Sequence, residues 1–365
     1  MLRRTRPRVL LLVAALPAVT LFTGGVAFAG PVSGELFYTT FRAPNPVPVG
    51  PPFISDGTVN RVTFDFNGTT LTLGSPQQIH TFGTASNADG IAFASDGDLL
   101  IGGGNTGNVH KLPASGGTVT SVAAGNPNAF HLAVSPDGNT VYTAGLPGGL
   151  SAVPLNPFAN GTPHGLSGDD VNITQIAFDN SGNAYYTASD AFGNGQFGTI
   201  DLTTFVTTRT IPNLPAAHGM AWDDHTNTII LAGDNHISQI DPADLATLKS
   251  DLTITIPAVN DLLDHFDQVS VDGEGHAFAA INNGNVFFLD YTDSGEVNAS
   301  GNVQQIQFLQ NFLDDIAPLS GPGAPNVEPP PPPPGGIPLP AAVWPGVMLL
   351  GSLWAAAKAK RRRRA

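Results

Sequence analysis

The sequence predicts an all-β fold, a six-bladed β-propeller whose N- and C-terminal strands close the ring within one blade. Three observations lead there. A short pattern recurs six times at a near-constant interval. Turn-forming residues separate apolar runs of strand length. The first and last copies are incomplete in complementary ways.

The pattern is two polar residues, an aliphatic, a small residue and an apolar residue, then a turn and a second apolar run. It reads DGIAFASDGDLLI around Ala92, FHLAVSPDGNTVY around Ala133, TQIAFDNSGNAYY around Ala177, HGMAWDDHTNTII around Ala221 and DQVSVDGEGHAFA around Ser270. A truncated copy, DDIAPLS, lies at Ala317, and the small residues are separated by 41, 44, 44, 49 and 47 positions. Alternation such as Ile91 and Phe93, then Leu99 and Ile101, has the two-residue period of half-buried strands. The turns SDGD, PDGN, NSGN and DGEG carry residues that tolerate positive φ. A third strand follows each pair, as in GNVHKL, LSAVPL, FGTIDL, HISQID and NVFFLD, and a more polar fourth completes the unit. Four strands per unit, repeating about every 45 residues, is the signature of a propeller blade.

The unit from Gly34 (GELFYTT, GTVNRVTFD, PQQIHTF) lacks an opening strand, and DDIAPLS is an opening strand with nothing after it. Residues 314 to 319 are therefore expected to fill the gap in the first blade and remove the free sheet edges. An open β-solenoid or sandwich is the structural alternative.

Composition agrees. Among 365 residues there are 42 Gly, 32 Pro and no Cys, and only 12% are charged. A turn-rich β protein fits better than a helical one. Disulfides, thiolate nucleophiles and Cys-based metal sites are excluded. Ten of the 15 basic residues lie at the two ends. The middle keeps Arg42, Arg61, Lys111, Arg209 and Lys249 against all 29 carboxylates, a net charge of about −24. Such a surface repels nucleic acid and attracts cations.

The ends read as addresses. Residues 1–29 have a basic start, MLRRTRPR, an apolar stretch and an Ala27-Phe28-Ala29 cleavage site, which predicts a signal peptide and passage through the secretion machinery. The propeller is expected over 30–321. A Pro-rich linker over 322–336, with Pro329 to Pro334 unbroken, should extend as polyproline II. Residues 337–365 combine an apolar run, Ile337 to Ala357, of bilayer-spanning length with the basic end KAKRRRRA. Positive charge at Arg361, Arg362, Arg363 and Arg364 holds that end in the cytoplasm, so the acidic domain is expected outside, anchored at least transiently to the envelope.

The C-terminal segment IPLPAAVWPGVMLLGSLWAAAKAKRRRR resembles the PEP-CTERM class of sorting signals in its VPLPA-like form, although Pro-Glu-Pro itself is absent and Pro345 falls inside the apolar run. The resemblance implies a bacterial surface protein. It also implies recognition of Pro338, Leu339, Pro340 and Ala341 by an exosortase-like membrane enzyme. The blade pattern over residues 34 to 320 resembles six-bladed propellers of the NHL, gluconolactonase and streptogramin-lyase type, and bacterial surface YVTN repeats.

Chemistry is expected at the start of the innermost strands, which line the channel. Three residues before each small residue stand Asp89, Phe130, Thr174, His218, Asp267 and Asp314. Asp89, His218, Asp267 and Asp314 would converge on one mouth, with His265 and Asp315 near in sequence. Carboxylates with an imidazole suit a divalent cation such as Ca²⁺, or Zn²⁺ if more imidazole joins. A channel wet for its own sake, or Asp89 bonding its local backbone amides, would explain the same residues. The lactonase-type propellers bind metal with Glu, Asn and Asp, and no Glu falls in this register. Serine-hydrolase elbows and phosphate loops are absent from the sequence, and no catalytic residue is assigned. The expected function is a surface or matrix binding or structural module for an extracellular glycan or protein; a metal-dependent hydrolase or lyase is the alternative.

Overall fold

The computed structural model describes residues 31–41, 57–83, 88–145, 149–189, 194–215, 217–259 and 263–325. The signal-peptide residues with Ala27 and Ala29, the linker beyond 325, and the sorting segment with Pro338 to Ala341 and Arg361 to Arg364 lie outside them. Every regular element among the described residues is a strand.

The strands form six sheets around one axis. Counting from the sheet that closes the ring, the innermost strands of blades 1 to 6 are Leu313–Ile316, Ile91–Phe93, Leu132–Val134, Ile173–Phe178, Gly219–Asp223 and Phe266–Val271. Each touches the next in that order, and the sixth touches the first, so the ring is closed.

Closure follows the expected route. Leu313–Ile316 pairs antiparallel with Val32–Thr40, matching Tyr38 with Ile316 and Thr40 with Leu313. The Ala317 N–H donates to the Phe37 carbonyl at 2.8 Å, and the Asp315 N–H donates to Thr39 Oγ1 at 3.1 Å. The closing strand ends at Ile316, three residues short of the segment 314 to 319, because the Leu319 N–H, next in line after Ala317, donates instead to Ser270 Oγ at 3.0 Å.

Two blades depart from four plain strands. The outer edge of blade 1 is split into Leu71–Leu73 and Gln77–Thr81, both pairing Thr58–Phe66. Blade 4 gains a short parallel strand, Ser167–Gly168, against Val206–Pro215. Thr207 Oγ1 fastens it by donating to the Asp170 carbonyl at 2.7 Å. The buried Asp170 carboxylate accepts from Tyr186 OH at 2.6 Å and Arg209 Nε at 2.9 Å.

The hydrophobic core is not one mass but six clusters, each filling the cleft between neighbouring blades. Flat twisted sheets standing on edge around an axis can bury their faces only against one another. The seam between blades 6 and 1 is aromatic, with Phe64 and Phe278 centroids 4.9 Å apart and Phe66 and Phe288 4.7 Å apart. At its rim, Gln305 and Gln307 side chains bond the backbone of Leu71.

The inner hairpin turns repeat one device. An Asp oxygen accepts backbone N–H groups two or more residues on: Asp96 from Asp98, Asp137 from Asn139, Asp179 from Ser181 and Asn183, Asp272 from Glu274 and His276. Positive φ falls on Gly97, Gly138 and Gly182, and blade 5, which has no glycine there, uses Asn227 at φ 53°.

Candidate functional site

Because every innermost strand runs the same way, the six positions three residues before the small residues come together at one end of the channel. Asp89, Phe130, Thr174, His218, Asp267 and Asp314 all line one cavity of about 230 Å³, together with His131, Gly145 and Ile173. The backbone places them with β-bulges. Extra residues interrupt the pairing at Thr174 in blade 4, at Asp267 and Gln268 in blade 6, and at Asp314 and Asp315 in blade 1. A bulge re-aims side chains that strict alternation would send into the blade cleft.

Two glycines let the blades approach closely. A Cβ on Gly90 would lie 2.2 Å from the Phe130 carbonyl oxygen and 2.7 Å from His131 Cα. One on Gly219 would lie 2.5 Å from the Asp267 carbonyl oxygen and 2.6 Å from Gln268 Cα. The Asp89 and His218 neighbourhoods are thereby pressed against those of His131 and Asp267.

Charge is concentrated at this mouth. His218 Nδ1 lies 2.5 Å from Asp267 Oδ1, and His131 Nε2 lies 3.9 Å from the same oxygen. His131 Nδ1 lies 3.2 Å from Asp315 Oδ2, close but not aligned as a hydrogen bond. The two imidazoles meet edge to face with centroids 4.8 Å apart. His131, Asp267, Asp314 and Asp315 are buried, whereas His218 is half-exposed toward solvent. Asp314 Oδ2, both Asp315 carboxylate oxygens and His131 Nδ1 are buried without a hydrogen-bond partner.

Asp89 does satisfy its local amide, accepting from the Gly90 N–H at 3.1 Å. His265 is turned aside, its Nε2 3.0 Å from Asn282 Nδ2, and it does not line the cavity.

The carboxylates compete for ionisation. Burial, with the nearby Asp315 and Asp267, pushes Asp89 up to about 7, against the opposing pull of His131. Burial together with Asp89, Asp267 and Asp315 pushes Asp314 well above the usual carboxylate range. Burial also dominates the rise at Asp315, partly offset by His131. Burial disfavours charge on Asp267 too, but the His218 and His131 imidazoles overcome it and hold that carboxyl far below its ordinary value. His131 is the counterpart: burial disfavours its cation, yet Asp315, Asp267 and Asp89 raise it to about 10. Opposed shifts packed into one cleft mark a functional-site candidate.

No protein-family model matches the sequence, and no match is found among curated proteins. Solved structures share the architecture. A chain in the crystal structure of a nidogen/laminin complex aligns with a TM-score of 0.56 at 16% identity, covering 78% of this chain and 97% of that one. TolB from Acinetobacter baumannii aligns with a TM-score of 0.51 at 16% identity, covering 80% of this chain and 66% of that one. The chain is a six-bladed β-propeller.

His131 was not among the residues singled out from the sequence. Phe130 occupies the register position of blade 3, and the histidine one place later supplies the chemistry. The position two before each small residue offers the signal, reading Gly90, His131, Gln175, Gly219, Gln268 and Asp315. It is polar wherever it is not glycine.

The opposite end of the channel is different. The far ends of the inner strands and the segment after the closing strand line an apolar funnel, with Phe93, Val134, Trp222, Val271, Pro318 and Pro322 in its wall.

Proposed function

We propose that this chain is an exported binding module of the cell envelope, in which a rigid propeller offers its acidic channel mouth to a cationic ligand. One observation carries the reading: the buried Asp314 Oδ2, without a hydrogen-bond partner, stands on a solvent-reachable cavity beside Asp89 and Asp267, while the buried Asp315 carboxylate lies 3.2 Å from His131 Nδ1. Uncompensated buried carboxylates are costly to a fold. A bound cation would repay that cost. The external address draws support from the two ends of the sequence and from the acidity of the region between them.

The sorting segment is proposed to act through Pro338 to Ala341, with an exosortase-like enzyme processing the tail. Cell fractionation tests the address. Full-length protein should be found at the envelope with the propeller open to external protease, and a chain ending before Ile337 should be released to the medium. Retention of both in the cytoplasm would refute export. Binding is tested by titrating the full-length protein with divalent cations. No binding by any of them, with Asp314→Asn and Asp315→Asn raising stability, would leave the mouth without a ligand. A metal-dependent hydrolase or lyase at the same mouth is the alternative, and turnover of lactones or esters lost in Asp267→Asn would favour it.

A further inference from the structure

We infer that the ligand of this mouth is a single divalent transition-metal ion held by the imidazoles of His131 and His218 and the carboxylate of Asp267. This deepens the binding-module reading and rests on it.

Three observations carry it. First, one ligand atom from each of His131, His218 and Asp267 lies within 4.8 Å of the others, on three different blades. Ligands bound to one ion at about 2.0–2.2 Å stand roughly 3.3 Å apart when tetrahedral. The 2.5 Å separation of His218 Nδ1 from Asp267 Oδ1 and the 3.9 Å separation of His131 Nε2 from that oxygen bracket this value. The remaining pair, His131 and His218, stands within 4.8 Å, so entry of an ion requires side-chain adjustments of about 1–2 Å.

Second, the outer carboxylate is in place. A ligating histidine almost always offers its other ring nitrogen to a carboxylate or carbonyl, which fixes its tautomer and direction. Asp315 Oδ2 stands 3.2 Å from His131 Nδ1 and leaves Nε2 toward Asp267. Asp315 is fully buried and its carboxylate is ion-paired with the His131 ring, so orienting His131 is the role its position serves.

Third, Asp314 is buried on the same cavity with Oδ2 unpartnered, placed to complete the coordination or to hold a water bound to the ion. The half-exposed His218 marks the side from which the ion enters. Two imidazoles select against Ca²⁺, which takes six to eight oxygen ligands, and in favour of ions such as Zn²⁺.

The test uses untagged full-length protein stripped with chelator, followed by calorimetric titration with Zn²⁺ and separately with Ca²⁺. One equivalent of Zn²⁺ should bind at least 100-fold more tightly than Ca²⁺ and raise the melting temperature. His218→Gln, at the half-exposed position, should keep the fold and weaken Zn²⁺ binding at least 100-fold. His131→Gln should do the same, and Asp315→Asn should weaken it about 10- to 100-fold. Asp96→Asn, on the surface beside Lys111, should leave it unchanged. Circular dichroism checks each fold. Co²⁺ substitution should give visible absorption bands of low-symmetry coordination that vanish in His218→Gln. Zn²⁺ binding that survives both histidine substitutions overturns the inference. Preferential Ca²⁺ binding that ignores them overturns it too, while sparing the cationic-ligand reading. Absence of binding by either ion overturns both.

Discussion

The Asp267 carboxylate lies 2.5 Å from Nδ1 of His218, although the two residues are 49 positions apart and belong to successive blades. Asp267 also faces His131, and it is the carboxyl in the mouth most strongly held in its ionised form. Its charge faces both imidazoles.

Removing that charge should therefore be felt before any ligand is added. Asp267→Asn is expected to cost about 1–3 kcal/mol at neutral pH, the usual penalty for leaving buried polar partners unmatched. Urea unfolding of chelator-treated protein checks this. A change below about 0.5 kcal/mol would show that the cluster is not coupled to folding.

Two buried groups should pull the pH dependence in opposite directions. Burial, with Asp315 and Asp267 beside it and His131 opposing, raises Asp89 from 3.8 to about 7. Its proton is held more tightly in the folded state, so its contribution is full below about pH 4 and is lost as pH rises through 7. His110 is lowered from 6.5 to about 4, by burial and then by His80. Its contribution is full above pH 6.5 and is lost as pH falls through 4. In metal-free protein, Asp89→Asn should flatten the loss between pH 4 and 7. His110→Gln should remove the acid-side loss over the same interval. Difference curves of unfolding free energy against pH separate the two, and parallel curves for both variants would contradict the assignment.

Gly219→Ala should destabilise the ring by about 1–3 kcal/mol, since the added methyl meets the backbone of Asp267 and Gln268. The insult falls on blade 6 as much as on blade 5. Gly97→Ala offers a contrast: open space surrounds it, but its φ of 84° strains an L residue. Both should lose stability in thermal melts, and only Gly219→Ala should also disturb the mouth, read as shifted His131 and His218 ring resonances in NMR spectra.

The closing strand should be worth more than its four residues suggest. Ile316 is fully buried in the seam between the first and last blades, so Ile316→Ala should cost about 2–5 kcal/mol. The exposed Val171 serves as control, with Val171→Ala expected within about 0.5 kcal/mol of the parent. Equal melting temperatures for the two variants would mean that the ring does not depend on this clasp.

Much of this was legible because repetition makes a register. The six copies around Ala92, Ala133, Ala177, Ala221, Ser270 and Ala317 place their opening residues equivalently, and symmetry about an axis then brings Asp89, Asp267 and Asp314 to one end. What escaped is what breaks the repeat. The bulges at Thr174, Asp267 and Asp314 arise from pairing with a neighbouring strand, which no single segment encodes. His131 follows the apolar Phe130, so its mark lies one place after the register position, in the column that reads Gly or polar in every copy. The parallel strand Ser167–Gly168 depends on Thr207 and on the Asp170–Arg209 pair, contacts nearly 40 residues away.

The direction of the closing strand also fixes which way the disc looks. Leu313–Ile316 starts at the Asp/His mouth and runs toward the funnel, where Pro318 to Pro322 follow; Val32–Thr40, antiparallel to it, begins on the funnel side. The described chain therefore enters and leaves at one pole, and the Asp89, Asp267 and Asp314 cluster occupies the other. His131 and His218 thus open on the face turned away from residue 325, unobstructed by the described chain on either side of the closing blade.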